Sequence, residues 1–296
     1  MAVILNHDII ESPPVAAATV VLLRDGTRGL EVLLVKRHGR SEVLGGAYVF
    51  PGGKLDEQDL GVEPSQLDLP PQDLRGAWGQ DDLDPTMACG LFVAALRETF
   101  EECNLLLHPL RPDAVSQVAL LRQRLDAGQS FLPSLRDLGL MPLQTRQLLP
   151  WARWISPPMP SMSKRRFDTR FFMALAPDGQ QAQHDAREIT ETLWIRPQDA
   201  IRAYWEDRMM LANVQLITLM ELSRIATARE VLAIGRQRKP PVVRPEPFDE
   251  DGQRVVCYPG DPRHSQAQAV WRGPTRLTYR HGRFEPEGGL QALLEA

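Results

Sequence analysis

The stretch RETFEEC, Arg97 to Cys103, gathers Glu98, Glu101 and Glu102 within five residues. At about 100° per residue the three carboxylates share roughly a 100° arc of a helix, while Phe92, Leu96, Phe100 and Cys103 fall on the opposite side. The helix has clear limits. Asp84 is a natural N-cap with Pro85 in the first helical position, and TMACGLFVAALRETFEEC then runs without a breaker to Asn104, which tolerates left-handed backbone angles. Gly90 weakens it by about 1 kcal/mol relative to Ala. One apolar face is expected to pack inward and the carboxylates to sit on the other.

Downstream, Leu105 and Leu106 stand where a neutralising lysine or arginine would fall at i+3 or i+4. A helix C-terminus also disfavours anions, by up to about 1 kcal/mol. An isolated acidic run is ordinarily a solvated helix face. Here the charge calls for a cation, and carboxylate oxygens suit Mg²⁺, which takes one or two of them together with water and substrate phosphate, or Mn²⁺. Upstream, FPGGKLDEQD, Phe50 to Asp59, offers a glycine pair that lets backbone approach a ligand closely, and a further carboxylate at Asp59.

Outward from these two pieces, AAATVVLLRDG and GLEVLLVKR predict a β-hairpin over Ala17 to Lys36, followed by a brief strand at Ala47 to Phe50 between glycine-rich loops. Residues 60–84 show no sustained period and are read as an irregular inserted loop. Residues from about 113 to 149 carry helical patterns and are read as a helical insertion. WARWIS, RFDTRFFMALAP and EITETLW predict strands, PQDAIRAYWED a helix, and NVQLITLMELSRIATAREVLAIG one long amphipathic helix. Composition shifts at Lys239. The expected division is a domain over 1–238 and a C-terminal extension over 239–296, with short strands at Val255 to Tyr258 and Arg276 to Tyr279. Trp151, Trp154, Trp194 and Trp205 read as packing residues.

With 296 residues and 43% of them hydrophobic, the chain can build a sizeable core. Its net charge of −4, from 34 basic and 38 acidic residues, argues against nucleic acid as partner. Cys89, Cys103 and Cys257 are too few and scattered for a disulfide framework or a closed zinc site. MAVILNHDIIESPP lacks the basic and long apolar regions of a secretory signal, and no apolar run approaches a membrane span, so no membrane association and a cytoplasmic location are expected.

Taken together, FPGGKLDEQD and RETFEE resemble the Nudix box, GX5EX7REUXEEXGU, with U a bulky aliphatic residue. Gly53 opens it, Asp59 stands at the first glutamate, and Arg97, Glu98, Glu101 and Glu102 match the second half. Residues 60 to 96 occupy the seven-residue spacer and Asn104 the glycine position. A long insertion inside the box resembles the Nudix branch that contains the peroxisomal coenzyme A diphosphatases. LLVKRHGRSEVLGGAYVFPGG, Leu33 to Gly53, resembles the coenzyme A signature of that family, with Val35 in place of Thr and Glu42 in place of the spaced Arg. RRFDTRFF and EITETLW resemble the same branch. The C-terminal LLEA does not resemble a peroxisomal address of the SKL type.

The resemblance implies an α/β fold, the Nudix α/β/α sandwich with a mixed β-sheet, here with a helical insertion and a C-terminal extension. It implies a hydrolase, a diphosphatase that cleaves coenzyme A or acyl-coenzyme A to 3′,5′-ADP and 4′-phosphopantetheine with Mg²⁺ or Mn²⁺. ADP-ribose, dinucleotides and nucleotide sugars are the alternative substrates, and a non-catalytic nucleotide-binding module the alternative class. The implied metal ligands are Glu98, Glu101, Glu102 and the Gly53 carbonyl, with Arg97 holding a glutamate or Asp59 in place. Glu98, Glu102 and Glu188 are candidate general bases. Arg37, His38, Arg40, Lys164, Arg165 and Arg166 are the candidate partners of the substrate's 3′-phosphate. The expected partner is a small nucleoside diphosphate derivative, and a homodimer is left open.

Overall fold

The two apolar runs near the head of the chain form β1 (Val15–Gly26) and β2 (Gly29–Arg37), antiparallel partners closed by a turn between Gly26 and Gly29. Their side chains alternate between two separate cores. Val20, Leu22, Leu33 and Val35 belong to one, and Val21, Leu23, Val32 and Leu34 to the other. Strands buried on both faces read as continuous apolar runs, which is why little polar alternation marks these two. The computed structural model describes residues 5–41, 43–109, 115–184 and 188–295, so Glu42 and the expected boundary at Asp113 lie outside the described residues.

The hairpin sits in a mixed sheet of eight strands among the described residues. Its order is β3 (Tyr48–Val49), β2, β1, β6 (Phe167–Leu175), β5 (Leu149–Ile155) and β8 (Val242–Val243), with β4 (Gly52–Lys54) paired to β1 and β7 (Ile189–Ile195) to β2. The β1–β6 and β5–β8 pairs are parallel and the others antiparallel. One face is covered by α1 (Glu57–Leu60), α2 (Pro71–Gly76), α3 (Pro85–Cys103), α4 (Val115–Asp126) and α5 (Phe131–Asp137), and the other by α6 (Pro197–Trp205), α7 (Asn213–Leu222) and α8 (Ala228–Arg236). The architecture is an α/β/α sandwich.

Two readings change. Residues 60–84, expected to be irregular, hold a 3₁₀ turn at Pro64–Gln66 and α2. Proline in the first helical positions starts both, and neither is long enough to display a period. Leu74 and Trp78 are buried there, Trp78 meeting Phe172 edge-on at 5.1 Å. The long helix expected from Asn213 onward is two helices. It ends at Leu222, and Thr227 restarts it as an N-cap whose side chain accepts from the Glu230 N–H.

The tail folds into an antiparallel sheet of β9 (Glu246–Glu250), β10 (Gln253–Cys257), β11 (Arg276–Arg280) and β12 (Arg283–Glu285), followed by α9 (Gly289–Glu295). Val256, Tyr258, Leu277, Phe284 and Leu293 join the core that contains α6 and α7. The Tyr204 hydroxyl donates to the Phe284 carbonyl at 2.8 Å and accepts from its N–H at 2.9 Å, and Trp154 stacks on Trp271 with ring centroids 6.0 Å apart. Among the described residues no helix is long and apolar enough to cross a membrane.

Candidate active site

Helix α3 begins and ends as its sequence requires. Asp84 accepts from the Met87 N–H at 2.9 Å, and Asn104 takes the left-handed C-cap position at φ 56°. Between them the helix is buried nearly all round, so the carboxylate side is a wall of the protein rather than a solvated face.

Arg97, 2% exposed, organises that wall. Its Nε and Nη2 donate to the two oxygens of Asp59, each at 2.8 Å, a bidentate pair. Its Nη1 donates to Glu98 at 2.8 Å and to Glu101 at 2.9 Å, and its Nη2 to the Lys54 carbonyl at 3.0 Å. Positive charge therefore reaches Glu101 from four residues upstream, where a search of downstream positions does not find it. Asp59, 1% exposed, serves Arg97.

Two glycines bring β4 against this wall. The Gly52 N–H donates to Glu102 Oε2 at 2.9 Å. A Cβ on Gly53 would collide with the Glu98 carboxylate, and one on Gly52 with the Ala18 carbonyl across the β1–β4 pair, so neither position admits a side chain.

The charge is out of balance. One guanidinium faces Asp59, Glu98 and Glu101, with Asp56 at 3.6 Å, while Glu102 has only a backbone N–H. Burial pushes the Glu98 carboxyl up to about 7, with Arg97 opposing and Glu101 adding to the rise. Burial likewise raises Glu102 well above the carboxylate range, Glu98 adding and the Gly52 N–H opposing, and raises Glu101 against Arg97. No three acidic, histidine or cysteine side chains among the described residues already converge as a metal cage. The donor set nevertheless suits a hard divalent cation: each of Glu98, Glu101 and Glu102 has one oxygen in a hydrogen bond and a second outside any among the described residues, and burial, which the neighbouring cations do not offset, raises all three carboxyls.

These carboxylates line a cleft of about 840 Å³, and Gly53, Glu188, Arg37, His38, Arg40 and Arg165 line it with them. Arg37 carries a buried Nε without a partner among the described residues and faces Glu102 closely enough to oppose its rise. The Glu188 carbonyl accepts from the His38 N–H at 2.8 Å, and the His38 ring accepts at Nδ1 from the Arg40 N–H at 3.1 Å. Lys164 and Arg166 lie apart from this set, because neither lines the cleft. Lys164 is exposed on the turn before β6, and Arg166 spends its guanidinium on the carbonyls of Ser156, Ile10 and Ser12.

Two cleft cations went unread in the sequence. Lys54 directly follows the glycine pair, a placement that could have signalled it. Arg122 lies on α4 and donates to the carbonyls of Phe100 at 2.6 Å and Glu101 at 2.9 Å and to the Asn104 side chain at 3.2 Å, capping the end of α3. No local pattern links it to α3. Within RFDTRFF the strand alternates: Phe167 and Thr169 line the cleft, while Asp168 binds Arg153 and Arg170, and both arginines donate to Gln80.

Residues 79–225, which include α3 and its carboxylates, match the family model described as the NUDT19 Nudix domain. The chain belongs to the Nudix hydrolases. It is 24% identical over 242 residues to "Acyl-coenzyme A diphosphatase NUDT19" of Xenopus laevis, covering 70% of this chain and 63% of that protein. It is 25% identical over 288 residues to "Putative nudix hydrolase 7" of Caenorhabditis elegans, covering 90% of this chain and 83% of the relative. The chain thus spans just under two thirds of the length of the frog NUDT19 relative. The crystal structure of a NUDIX hydrolase from Alicyclobacillus acidocaldarius superposes with a TM-score of 0.57 at 25% identity, covering 75% of this chain and 97% of that one.

Proposed function

We propose that the chain hydrolyses the diphosphate bond of coenzyme A or acyl-coenzyme A, releasing 3′,5′-ADP and 4′-phosphopantetheine or its acyl form. The observation that carries the reading is a single cleft with an anion-rich wall, Glu98, Glu101 and Glu102, facing cations at Arg37, Arg40 and Arg165. The similarity to proteins named acyl-coenzyme A diphosphatase supports the substrate class. Val35, one of the departures from the coenzyme A signature, is fully buried in the core beneath α3, so Val for Thr there removes no contact with a ligand in the cleft.

In this reading Glu98, Glu101 and Glu102, with the Gly53 carbonyl, hold Mg²⁺ or Mn²⁺. The bound ion supplies neutralising charge at the diphosphate and acidifies water. Arg97, fixed by Asp59, keeps Glu98 and Glu101 aimed at the cleft. Glu188, exposed on the cleft wall near Glu102, accepts the proton of the attacking water, while Arg37, Arg40 and Arg165 take the substrate's phosphates through charge-assisted hydrogen bonds, with His38 beside them.

The test is product analysis after incubation with Mg²⁺ or Mn²⁺ and, separately, coenzyme A, acetyl-coenzyme A, ADP-ribose, NADH and a nucleotide sugar. Metal-dependent release of 3′,5′-ADP from the coenzyme A compounds supports the proposal. Cleavage confined to the other compounds replaces the substrate, and cleavage of none favours a binding module. Glu188→Gln should lower kcat by about a hundredfold with KM little changed, as loss of a general base does; an unchanged kcat removes Glu188 from that role.

A further inference from the structure

Beside the charged cleft lies a second cavity, of about 250 Å³. Thr19, Val43, Leu44, Phe167, Thr169 and Gln215 line both, so the two adjoin. The tail sheet and the segment before it build the far wall of the second cavity with Pro245, Pro247, Val256 and Tyr258. Its chemistry differs from the cleft's. Among the described residues no charged side chain lines it, and Trp154, Met162, Phe171 and Val214 make most of its surface apolar.

Inside this apolar lining, four buried polar atoms make no hydrogen bond of good geometry among the described residues: Ser161 Oγ, Asn213 Oδ1, Gln215 Oε1 and the Tyr258 hydroxyl. Ser161, Gln215 and Tyr258 are 8%, 6% and 0% exposed. Tyr258 and Asn213 stand close enough to pair weakly with each other, while Ser161 Oγ and Gln215 Oε1 have no such neighbour among the described residues. Buried polar groups are nearly always paired, so these under-satisfied atoms around one cavity mark where a ligand's donors and acceptors belong. The two carboxamides can offer either end, and the two hydroxyls donate or accept.

We propose that this pocket receives the uncharged, amide-bearing pantetheine arm of the substrate, together with the start of any acyl chain, while the phosphates stay in the cleft. The inference rests on the coenzyme A reading above. A phosphorylated ribose does not fit the pocket, which offers no cation among the described residues, and a sugar would set most of its hydroxyl groups against apolar walls. A chain of methylenes and methyls punctuated by amides matches both its apolar walls and its few polar atoms. The volume agrees, lying below the range of about 300–1,000 Å³ typical of sites that enclose a whole ligand. The C-terminal extension thereby becomes part of the substrate site.

The experiment uses the full chain with Mg²⁺, coenzyme A as substrate, and the two products as inhibitors. Val214→Trp, which fills the pocket from the first turn of α7, should raise KM for coenzyme A and weaken inhibition by 4′-phosphopantetheine by about tenfold, leaving kcat and inhibition by 3′,5′-ADP within about twofold. Ser161→Ala should act in the same direction by about threefold to tenfold, the usual effect of one hydrogen bond. Weakened 3′,5′-ADP inhibition with unchanged 4′-phosphopantetheine inhibition would overturn the assignment by placing the nucleotide half here. Equal weakening of both products in both variants would also overturn it. A wild type that cleaves coenzyme A alongside a Val214→Trp variant indistinguishable from it would sink this inference alone, whereas a wild type that leaves coenzyme A intact would sink the proposed activity and the inference together.

Discussion

Two buried arginine–carboxylate clusters lie on the same sandwich and have opposite balances. Around Arg97, one cation meets Asp59, Glu98 and Glu101, and Glu102 sits beyond its reach. Around Asp168, one carboxylate meets Arg153 at 2.6 Å and Arg170 at 2.6 Å, and the Gln80 Oε1 accepts from both arginines. The first cluster leaves carboxyls raised, Glu98 to about 7. In the second, burial works against the charge on Asp168, but the Arg153 hydrogen bond and both guanidiniums outweigh it and hold the acid below its ordinary value. Burial brings Arg170 down to about 10, against the pull of Asp168. The Asp168 cluster pairs its one carboxylate fully and serves the fold, although Arg170 Nε and Gln80 Nε2 stay without a partner among the described residues, whereas the cleft cluster, short of positive charge, is suited to receive it.

The largest effect should follow from Glu102→Gln. Loss of one metal-holding oxygen charge is expected to lower kcat by about a thousandfold, with thermal unfolding little changed or shifted upward, because a buried carboxyl with no cation partner is removed. Turnover retained in that variant would break the assignment of the cleft cluster. Asp168→Ala should do the reverse. It strands Arg153 and Arg170 and should cost about 3 kcal/mol in denaturant unfolding, while kcat per folded molecule stays within about twofold. A collapse of kcat in soluble, folded Asp168→Ala would erase the distinction between the clusters.

The sequence made one of these clusters legible and hid the other, for a physical reason. Glu98, Glu101 and Glu102 are local: a helix of known period with a capping aspartate, an early proline and a terminal asparagine fixes their common side without tertiary information. The hairpin was legible in the same way, from its turn residues and strand composition. Asp59 and Arg97 lie on separate elements, α1 and α3, and only the resemblance to the box implied their pairing. Arg153, Asp168, Arg170 and Gln80 come from β5, β6 and the segment after α2, brought together by a sheet register that no local pattern encodes. The same limit explains Arg122, whose contact with α3 crosses from one helix to another, and the pocket beneath the tail, whose walls come from residues as distant as Thr19 and Tyr258. Breaks inside apolar runs, as at Ser223 to Thr227, were missed because amphipathic spacing happens to continue across them.

The pH dependence of stability offers a sharper separation. In the metal-free chain Glu98 binds protons more tightly folded, at about 7, than at its ordinary value of 4.5. Between these two values the folded state carries the extra proton, so stability should fall as pH rises from about 4.5 through about 7, by on the order of 2 kcal/mol. Glu101 and Glu102 contribute in the same direction. Asp168 has the opposite sign: its contribution is full above its ordinary 3.8 and is lost only as pH falls through its lowered folded value. The melting temperature without metal should therefore decline between pH 5 and 8, and millimolar Mg²⁺ should flatten or reverse that decline by supplying the missing charge. A metal-free melting temperature that rises over this interval would contradict the imbalance.

The smallest effect is the most pointed, because the two clusters should answer one kind of substitution with opposite signs. Glu101→Gln removes a carboxylate from the overcrowded set and keeps an oxygen to accept from Arg97 Nη1. Glu101 is about a third exposed, at 36% for its side chain, so solvent screens much of its repulsion. The metal-free variant is expected to gain about 0.5 kcal/mol, in contrast to the loss expected at Asp168. Since Glu101 adds to the rise at Glu98, its removal should also move the midpoint of the metal-free pH–stability curve below the wild-type position near 7. Denaturant titrations at pH 5, 6, 7 and 8 would measure both shifts. If Glu101→Gln destabilises the metal-free chain by more than about 1 kcal/mol, then Arg97 needs all of its carboxylates, and the cleft cluster is as self-contained as the one around Asp168.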